Sequence, residues 1–398
     1  MVSLDADLVI VGGGPAGIAT ALFLSHASPR LRERIVVLEK ETYPREKICA
    51  GAIGGRADRL LASIGVRVDV PSVPILGLSV ATSRGRLAAS DPAPSEPIGR
   101  VVRRLEFDAA FAAEARSRGL RIDEGARVTG LERAASHVLL RSSRGDLRAR
   151  AVVGADGVGS FIRRALGLAK GRWLAQVVEV DTPAVPSDPA RHLLHFDLED
   201  ASFPGYGWDF PTLVKGEPLV CRGLYELRSL ASAEPVIDLG ERLLRRLALL
   251  GLSTNVKLKR FSERGLSLHE PVALPRALLV GEAAGIDPVL GEGIAQAIFY
   301  GHTAGRYLAR CLDANDLSFL DWQGELRRSR VGFDLRARAR AIPLVYGRGR
   351  PALERWVVSS PSLARSGLRY FAGDHVPRAP LARSLVDLGR AALVERLS

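Results

Sequence analysis

The chain opens with an unbroken apolar run, Ala6 to Val11, followed by Gly12-Gly13-Gly14-Pro15-Ala16-Gly17 and a helical stretch over Ile18 to His26. A second apolar run, Arg34 to Glu39, completes a strand–helix–strand unit. Short runs without alternation suit strands buried on both faces, as in a parallel sheet covered by helices. Leu147 to Val153 and Ala277 to Gly281 are runs of the same kind. Phe107, Ala110, Phe111 and Ala115 fall at helical spacing and predict a helix stopped by Gly119, then a strand over Arg121 to Thr129. From about Arg172 to Leu274 the pattern changes to alternating or aromatic runs (Gln176 to Asp181, His192 to Leu198, Leu219 to Tyr225) separated by Pro and Gly turns, which predicts an antiparallel sheet. Gly293 to Leu308 is helical by pattern, and so is the tail beyond Leu320, where Leu381, Leu385, Leu388 and Ala392 share one face.

These elements predict an α/β protein with a discontinuous nucleotide-binding domain over 1–66, 95–171 and 275–320. A sheet domain for substrate, 67–94 and 172–274, interrupts it, and a helical C-terminal region, 321–398, follows.

Composition narrows the classes of function. At 398 residues and 47% apolar content a large core can be built. No apolar run reaches the roughly 20 residues of a membrane span, and Met1 to Asp7 leads into the first strand without the marks of a signal peptide. The expected address is cytoplasmic. Cys49, Cys221 and Cys311 fit neither a disulfide framework nor metal spacing, and His192 and His195 would face opposite sides of a strand, so no metal site is expected. The formal charge of +12 owes much to the tail, where 15 Arg face 7 Asp and Glu from Asp321 onward. Without a nucleic-acid-binding motif this reads as a solvated basic face; peripheral contact with a membrane is the sharper alternative.

Chemistry enters through the glycines. Gly12, Gly14 and Gly17 follow a strand and open a helix, so backbone N–H groups and the positive helix end can meet a pyrophosphate. Pro15 and Ala16 complete that turn. Glu39 ends the next strand 22 residues after Gly17, where a carboxylate accepts both ribose hydroxyls and repels a 2′-phosphate. The nucleotide expected here is an adenosine without that phosphate, with Lys40 beside it.

Gly154-Ala155-Asp156-Gly157 with Ser160, Arg163 and Arg164, then Gly281-Glu282-Ala283-Ala284-Gly285 with Asp287-Pro288 and Gly291-Glu292-Gly293-Ile294, resemble the second and third flavin motifs of the para-hydroxybenzoate hydroxylase superfamily. Tyr43-Pro44-Arg45-Glu46-Lys47-Ile48-Cys49-Ala50-Gly51 and Pro204 to Pro211 resemble the geranylgeranyl reductase branch of that superfamily. The resemblance covers roughly residues 5 to 310. It implies a glutathione-reductase-type Rossmann domain that binds FAD, with an inserted antiparallel-sheet substrate domain. It further implies that Arg104 reaches the FAD phosphates, that Val128 offers its backbone to the adenine, and that Asp156, Gly157 and Pro288 belong to the flavin motifs. Gly291, Gly293 and Ile294 would approach the isoalloxazine and ribitol, where the helix dipole favours an anionic reduced flavin. Glu282 stands where the family usually has Asp as the acceptor of a ribitol hydroxyl.

Cys49 matches a family position beside the flavin ring, where a thiol could donate a proton; a small packed cysteine is the plainer alternative. Tyr206, Trp208 and Phe210 alternate on a strand and so share a face, either as the wall of an apolar substrate pocket or as core aromatics. No second dinucleotide motif is present, so NAD(P)H visits transiently or a separate donor protein supplies electrons. Two activities compete: reduction of C=C bonds in an isoprenoid or similar apolar substrate, and oxygen-dependent monooxygenation of an aromatic, polyketide or terpenoid substrate. A flavin halogenase would carry a WxWxIP segment and a hydrolase a GxSxG element, and neither occurs. A lipid-binding protein without catalysis is the remaining alternative.

Overall fold

A computed structural model describes residues 3–90, 96–232 and 237–374. The predicted helical face from Leu381 to Ala392 lies outside the described residues.

The continuous apolar runs become the middle of an eight-stranded sheet. Ala6–Val11 lies between Ile35–Leu38 and Gly145–Gly154, and Ala277–Leu279 continues beyond the latter, all parallel. Leu8, Val9 and Ile10 are wholly buried, each large side chain contributing roughly 1.5–3 kcal/mol. The helix Pro15–Ala27 covers one face by packing against the long helix Gly293–Ala314. Gly305 allows that approach: a Cβ there would stand 2.6 Å from the Leu24 nitrogen. The run expected as one strand from Arg121 to Thr129 is instead two, Arg121–Asp123 and Val128–Arg133. Gly125 between them has φ +65°, which no strand tolerates.

A seven-stranded sheet runs in the order Lys259–Gly265, Trp173–Thr182, Glu217–Ser229, Gly205–Val214, Leu193–Leu198, Gly77–Thr82, Gly85–Ser90. Strands from the 67–94 segment therefore complete it. One pairing departs from the antiparallel expectation: Leu193–Leu198 runs parallel to Gly77–Thr82. These two strands come from distant parts of the chain, so no hairpin dictates their direction. One face of the sheet packs Val178, Val180 and Leu224 against Leu243 and Leu247 of an unforeseen helix, Leu239–Leu249, whose first amides are capped by Asp238. The other face carries the aromatic residues and meets a small sheet of Ala52–Gly54, Gly99–Val102 and Ser72–Ile75.

The described tail is helical, as expected: Trp322–Arg328, Arg330–Val345, Arg350–Ser359 and Pro361–Ala372. Phe371 seats on the small sheet, where a Cβ on Gly99 would stand 2.6 Å from its ring.

Candidate functional site

Val11 pairs with Gly154 and Gly154 with Leu279, so the three glycine-rich turns leave the C-terminal ends of adjacent parallel strands. Such strand ends are where open α/β sheets bind ligands. Gly12, at φ +110°, lies against the Ala155 carbonyl, and Gly281, at φ +58°, lies 2.6 Å from the Ala16 methyl as measured from a Cβ placed on it. Side chains there would force the turns apart. Gly14 is different: a Cβ on it would meet nothing nearer than Arg45 Nη2 at 3.8 Å. No side chain caps the helix Pro15–Ala27 at Gly14, so its first amides and a guanidinium face the same opening, a setting for an anion.

Glu39 is buried; its Oε2 accepts the Gly13 N–H at 2.8 Å and its Oε1 the Glu41 N–H at 3.0 Å. Lys40 beside it is exposed, and Val128 is buried at the start of its strand. The Tyr43 hydroxyl donates to the Gly13 carbonyl. Arg45 pairs with Glu39 at 3.4 Å and Asp108 at 3.1 Å, and its buried Nε has no partner. Arg104 shares Asp108 with Arg45. Its Nε and Nη2 are forked on Asp108, both at 2.7 Å, and its charge bears on the Cys49 sulfur.

In the second motif Asp156 serves its own turn, accepting the Ser160 hydroxyl at 2.5 Å and the Ile162 N–H at 3.1 Å. Gly157 follows at φ +76°, and a Cβ there would stand 3.6 Å from Glu282 Oε2. The longer Glu282 side chain thus spans from the third motif to the second. Burial raises its pKa, Lys47 opposing, and its buried Oε1 has no partner. Pro288 packs on Gly265, while Asp287 accepts the Val289 N–H at 2.8 Å and so shapes the turn to Gly291, φ +64°. Gly293 begins the long helix and Ile294 is buried behind it.

Across this turn lies the aromatic face. Tyr206, Trp208 and Phe210 do share one side of their strand and are all buried, with Tyr206 stacked on Tyr225 at 5.2 Å. The Tyr206 hydroxyl donates to the Leu290 carbonyl at 2.6 Å, tying this face to the turn. Glu263 points at Gly291: its Oε2, buried and without a partner, lies 2.6 Å from a Cβ placed there. Cys49 accepts the Gly51 N–H at 3.4 Å. Burial pushes its thiol up, Arg104 opposing, so the sulfur is held as S–H.

Arg45, Lys47, Glu179 and Glu263 were not singled out from the sequence. Arg45 and Lys47 lie in the Tyr43 to Gly51 stretch, and the fold brings Arg45 to Gly14 and the charge of Lys47 to bear on Glu282. An orphaned donor, Arg45 Nε, at the first turn and an orphaned acceptor, Glu282 Oε1, at the third are what a dinucleotide with phosphate oxygens and ribityl hydroxyls would satisfy.

The profile of a family described as "FAD binding domain" matches residues 5–331. The chain belongs to this family. It is an FAD-dependent oxidoreductase, and FAD is its cofactor. A menaquinone reductase of Mycobacterium tuberculosis is 29% identical over 393 residues, covering 92% of this chain and 90% of that protein. A digeranylgeranylglycerophospholipid reductase of Methanothrix thermoacetophila is 28% identical over 338 residues, 79% of this flavoprotein and 80% of its relative. The crystal structure of a geranylgeranyl bacteriochlorophyll reductase-like protein from Thermoplasma acidophilum has the same fold, with TM-score 0.66, 19% identity and 95% coverage of each chain. The likeness to the geranylgeranyl reductase branch stands. Among the described residues of the flavoprotein no group of His, Cys, Asp and Glu could hold a metal ion, and no helix is long and apolar enough to cross a membrane.

Proposed function

We propose that this flavoprotein reduces C=C bonds in an isoprenoid chain or a similar apolar substrate. The observation that carries the reading is a protonated thiol, Cys49, that feels the charge of Glu263, the carboxylate facing the Gly291 turn to which Tyr206 ties the buried aromatic face. Bound FAD supplies hydride once NAD(P)H or another donor has reduced it. The relatives' names, a menaquinone reductase and a digeranylgeranylglycerophospholipid reductase, support an apolar substrate of this class.

The residues divide the work. Gly12, Gly14, Pro15, Ala16 and Gly17 with Arg45 hold the pyrophosphate, Glu39 and Lys40 serve the adenosine ribose, and Val128 serves the adenine. Asp156 and Gly157 shape the second turn, Glu282 accepts a ribitol hydroxyl, and Pro288, Gly291, Gly293 and Ile294 form the bed of the ring. Arg104, forked on Asp108, supports Cys49 rather than a phosphate. Tyr206, Trp208 and Phe210 wall the substrate site and exclude water. Cys49 gives a proton to one alkene carbon as the other receives hydride. The 67–94 and 172–274 segments form the substrate domain. Phe333, 69% exposed, and Leu320, 84% exposed, in an arginine-rich region support peripheral contact with the membrane that dissolves such substrates.

The test is anaerobic incubation of the dithionite-reduced protein with geranylgeranyl lipids. Products heavier by two hydrogens per reduced bond are expected. Unchanged lipid, with oxygenated product appearing only on admission of air, would assign the monooxygenase activity instead.

A further inference from the structure

We propose that a cavity at the edge of the aromatic face, where the second sheet meets the helical tail, binds the phosphate head group of an isoprenoid substrate; the inference rests on the reading of the protein as a reductase of isoprenoid chains. The cavity holds about 460 Å³, a volume ordinary for a small-molecule site. Three separate segments wall it. Ser83 and Arg84 come from the turn between Gly77–Thr82 and Gly85–Ser90, residues 201–204 from the approach to Gly205–Val214, and Tyr346, Arg348 and Arg350 from the junction of Arg330–Val345 with Arg350–Ser359.

The charges of the lining are unequal. Buried Arg350 donates Nε to the buried Glu354 at 2.7 Å and Nη2 to the Leu198 and Asp200 carbonyls at 2.8 and 3.0 Å, while Nη1 goes to the Phe203 carbonyl. The other oxygen of Glu354 accepts the Ser83 hydroxyl at 2.5 Å. Arg350 and Glu354 therefore neutralise each other and fix the 201–204 wall. Arg348 is left over: it is exposed at the mouth and, among the described residues, makes no hydrogen bond or ion pair. Arg84 adds a further guanidinium to the lining, and no side chain caps the helix Arg350–Ser359 at Gly349. Cation and helix N-terminus have the same sign, and a planar guanidinium matches the oxygens of a phosphate.

The opposite side of the cavity is apolar and leads toward Gly291. Phe203 and Pro204 run directly into the strand that carries Tyr206, Trp208 and Phe210. Tyr346 packs on that aromatic cluster, and its hydroxyl donates to the Val289 carbonyl. The next carbonyl, Leu290, accepts the Tyr206 hydroxyl at 2.6 Å. Two neighbouring carbonyls ahead of Gly291 are thus held by one tyrosine from the cavity and one from the aromatic face. An amphipathic ligand suits this division. Its charged head stays at the wet rim beside Arg348, and its chain continues past Tyr346 onto the aromatic face. A neutral alcohol with the same chain would gain the apolar contacts alone.

Equilibrium binding to the oxidised, FAD-loaded protein, followed by tryptophan fluorescence, tests the site without turnover. Geranylgeranyl phosphate is expected to bind about tenfold more tightly than geranylgeraniol, the worth of one charge-assisted contact at a rim, and the preference is expected to fade with added salt. Arg348→Glu abolishes the preference while the alcohol binds as before, and Arg348→Lys retains part of it. Equal affinities of the two lipids for the wild type, or a preference untouched by R348E, would overturn the site, whether or not either lipid is reduced. Inorganic phosphate binding as tightly as the phosphorylated lipid would assign the site to the free ion and overturn the head-group role. So would an R348E protein with wild-type lipid affinities but slower flavin reduction by NADPH, which would give the phosphate to the nucleotide. A phosphate preference lost in R348E, with neither lipid reduced, supports the site and contradicts the reductase reading instead.

Discussion

Arg338, on a helix beyond the last glycine motif, donates Nη2 to Glu292 at 2.8 Å, directly behind the Gly291 turn. It also pairs with Asp287 and, through Nε, with Asp334 at 3.2 Å, while Arg56 reaches Glu292 at 2.6 Å and lies over the Tyr370 ring. The helical tail and the Gly291 turn are one ionic unit. Arg338→Met leaves the buried Asp287 without a paired cation and the half-buried Glu292 and Asp334 with Arg56 alone, and removal of one partner from a buried pair costs about 3–5 kcal/mol. Urea unfolding is expected to show that loss, and FAD titration a weaker complex; Arg338→Lys, lacking the planar fork, recovers only part of either.

The two glycines at either end of the first turn separate fold from binding. Gly17 lies against the Gly12 carbonyl, whereas Gly14 faces open space with ordinary φ −76°. Gly17→Ala is expected to destabilise the protein by about 1–3 kcal/mol through overpacking. Gly14→Ala is expected to leave stability within about 0.5 kcal/mol while lowering FAD affinity at least about tenfold, because its methyl intrudes on the phosphate. Thermal melts of the apoprotein beside flavin-fluorescence titrations distinguish the two.

Two arginines that share Asp108 have separable roles. Arg45→Met is expected to weaken FAD binding about tenfold to a hundredfold, the worth of a charge-assisted contact, with Cys49 reactivity unchanged. Arg104→Met removes the cation that lowers the Cys49 pKa, so the alkylation profile of that thiol moves to higher pH.

Asp209 supplies an acid-sensitive brace in the second sheet. Burial alone would raise its pKa, but Arg246, at 2.7 and 2.9 Å, and Arg222, at 3.0 Å, hold it below the ordinary carboxylate range. A depressed native pKa gives stability that is present above the unfolded value, near about 3.9, and is lost as pH falls through the native one. Asp209→Asn is expected to be less stable than wild type at neutral pH, the difference shrinking as denaturation is repeated toward pH 3 (about that value).

The Rossmann half was legible because its signals are local. A continuous apolar strand and a glycine turn are short-range features, so Ala6–Val11, the three turns and the start of Gly293–Ala314 lie where expected. The aromatic face followed from a period of two. What was hidden depends on register between distant strands. Nothing in the sequence sets Glu179 between Lys259 and Gly223, Glu263 against Gly291, or Leu193–Leu198 parallel to Gly77–Thr82. The fork of Arg104 on Asp108, one helical turn away, and the pairing of Arg45 with that same carboxylate beside Gly14 likewise depend on how the helix is set against the glycine turn.

In the proposed reaction, reduced flavin and a protein proton saturate an alkene without oxygen. Anaerobic mixing of the photoreduced protein with a geranylgeranyl lipid in D2O, with the flavin spectrum and product mass followed together, tests it directly. Return of the oxidised flavin spectrum is expected as the lipid gains two solvent deuteriums per reduced bond, because the hydrogen carried by a photoreduced flavin also comes from solvent. A flavin that stays reduced until oxygen enters, with the lipid unaltered, would contradict it.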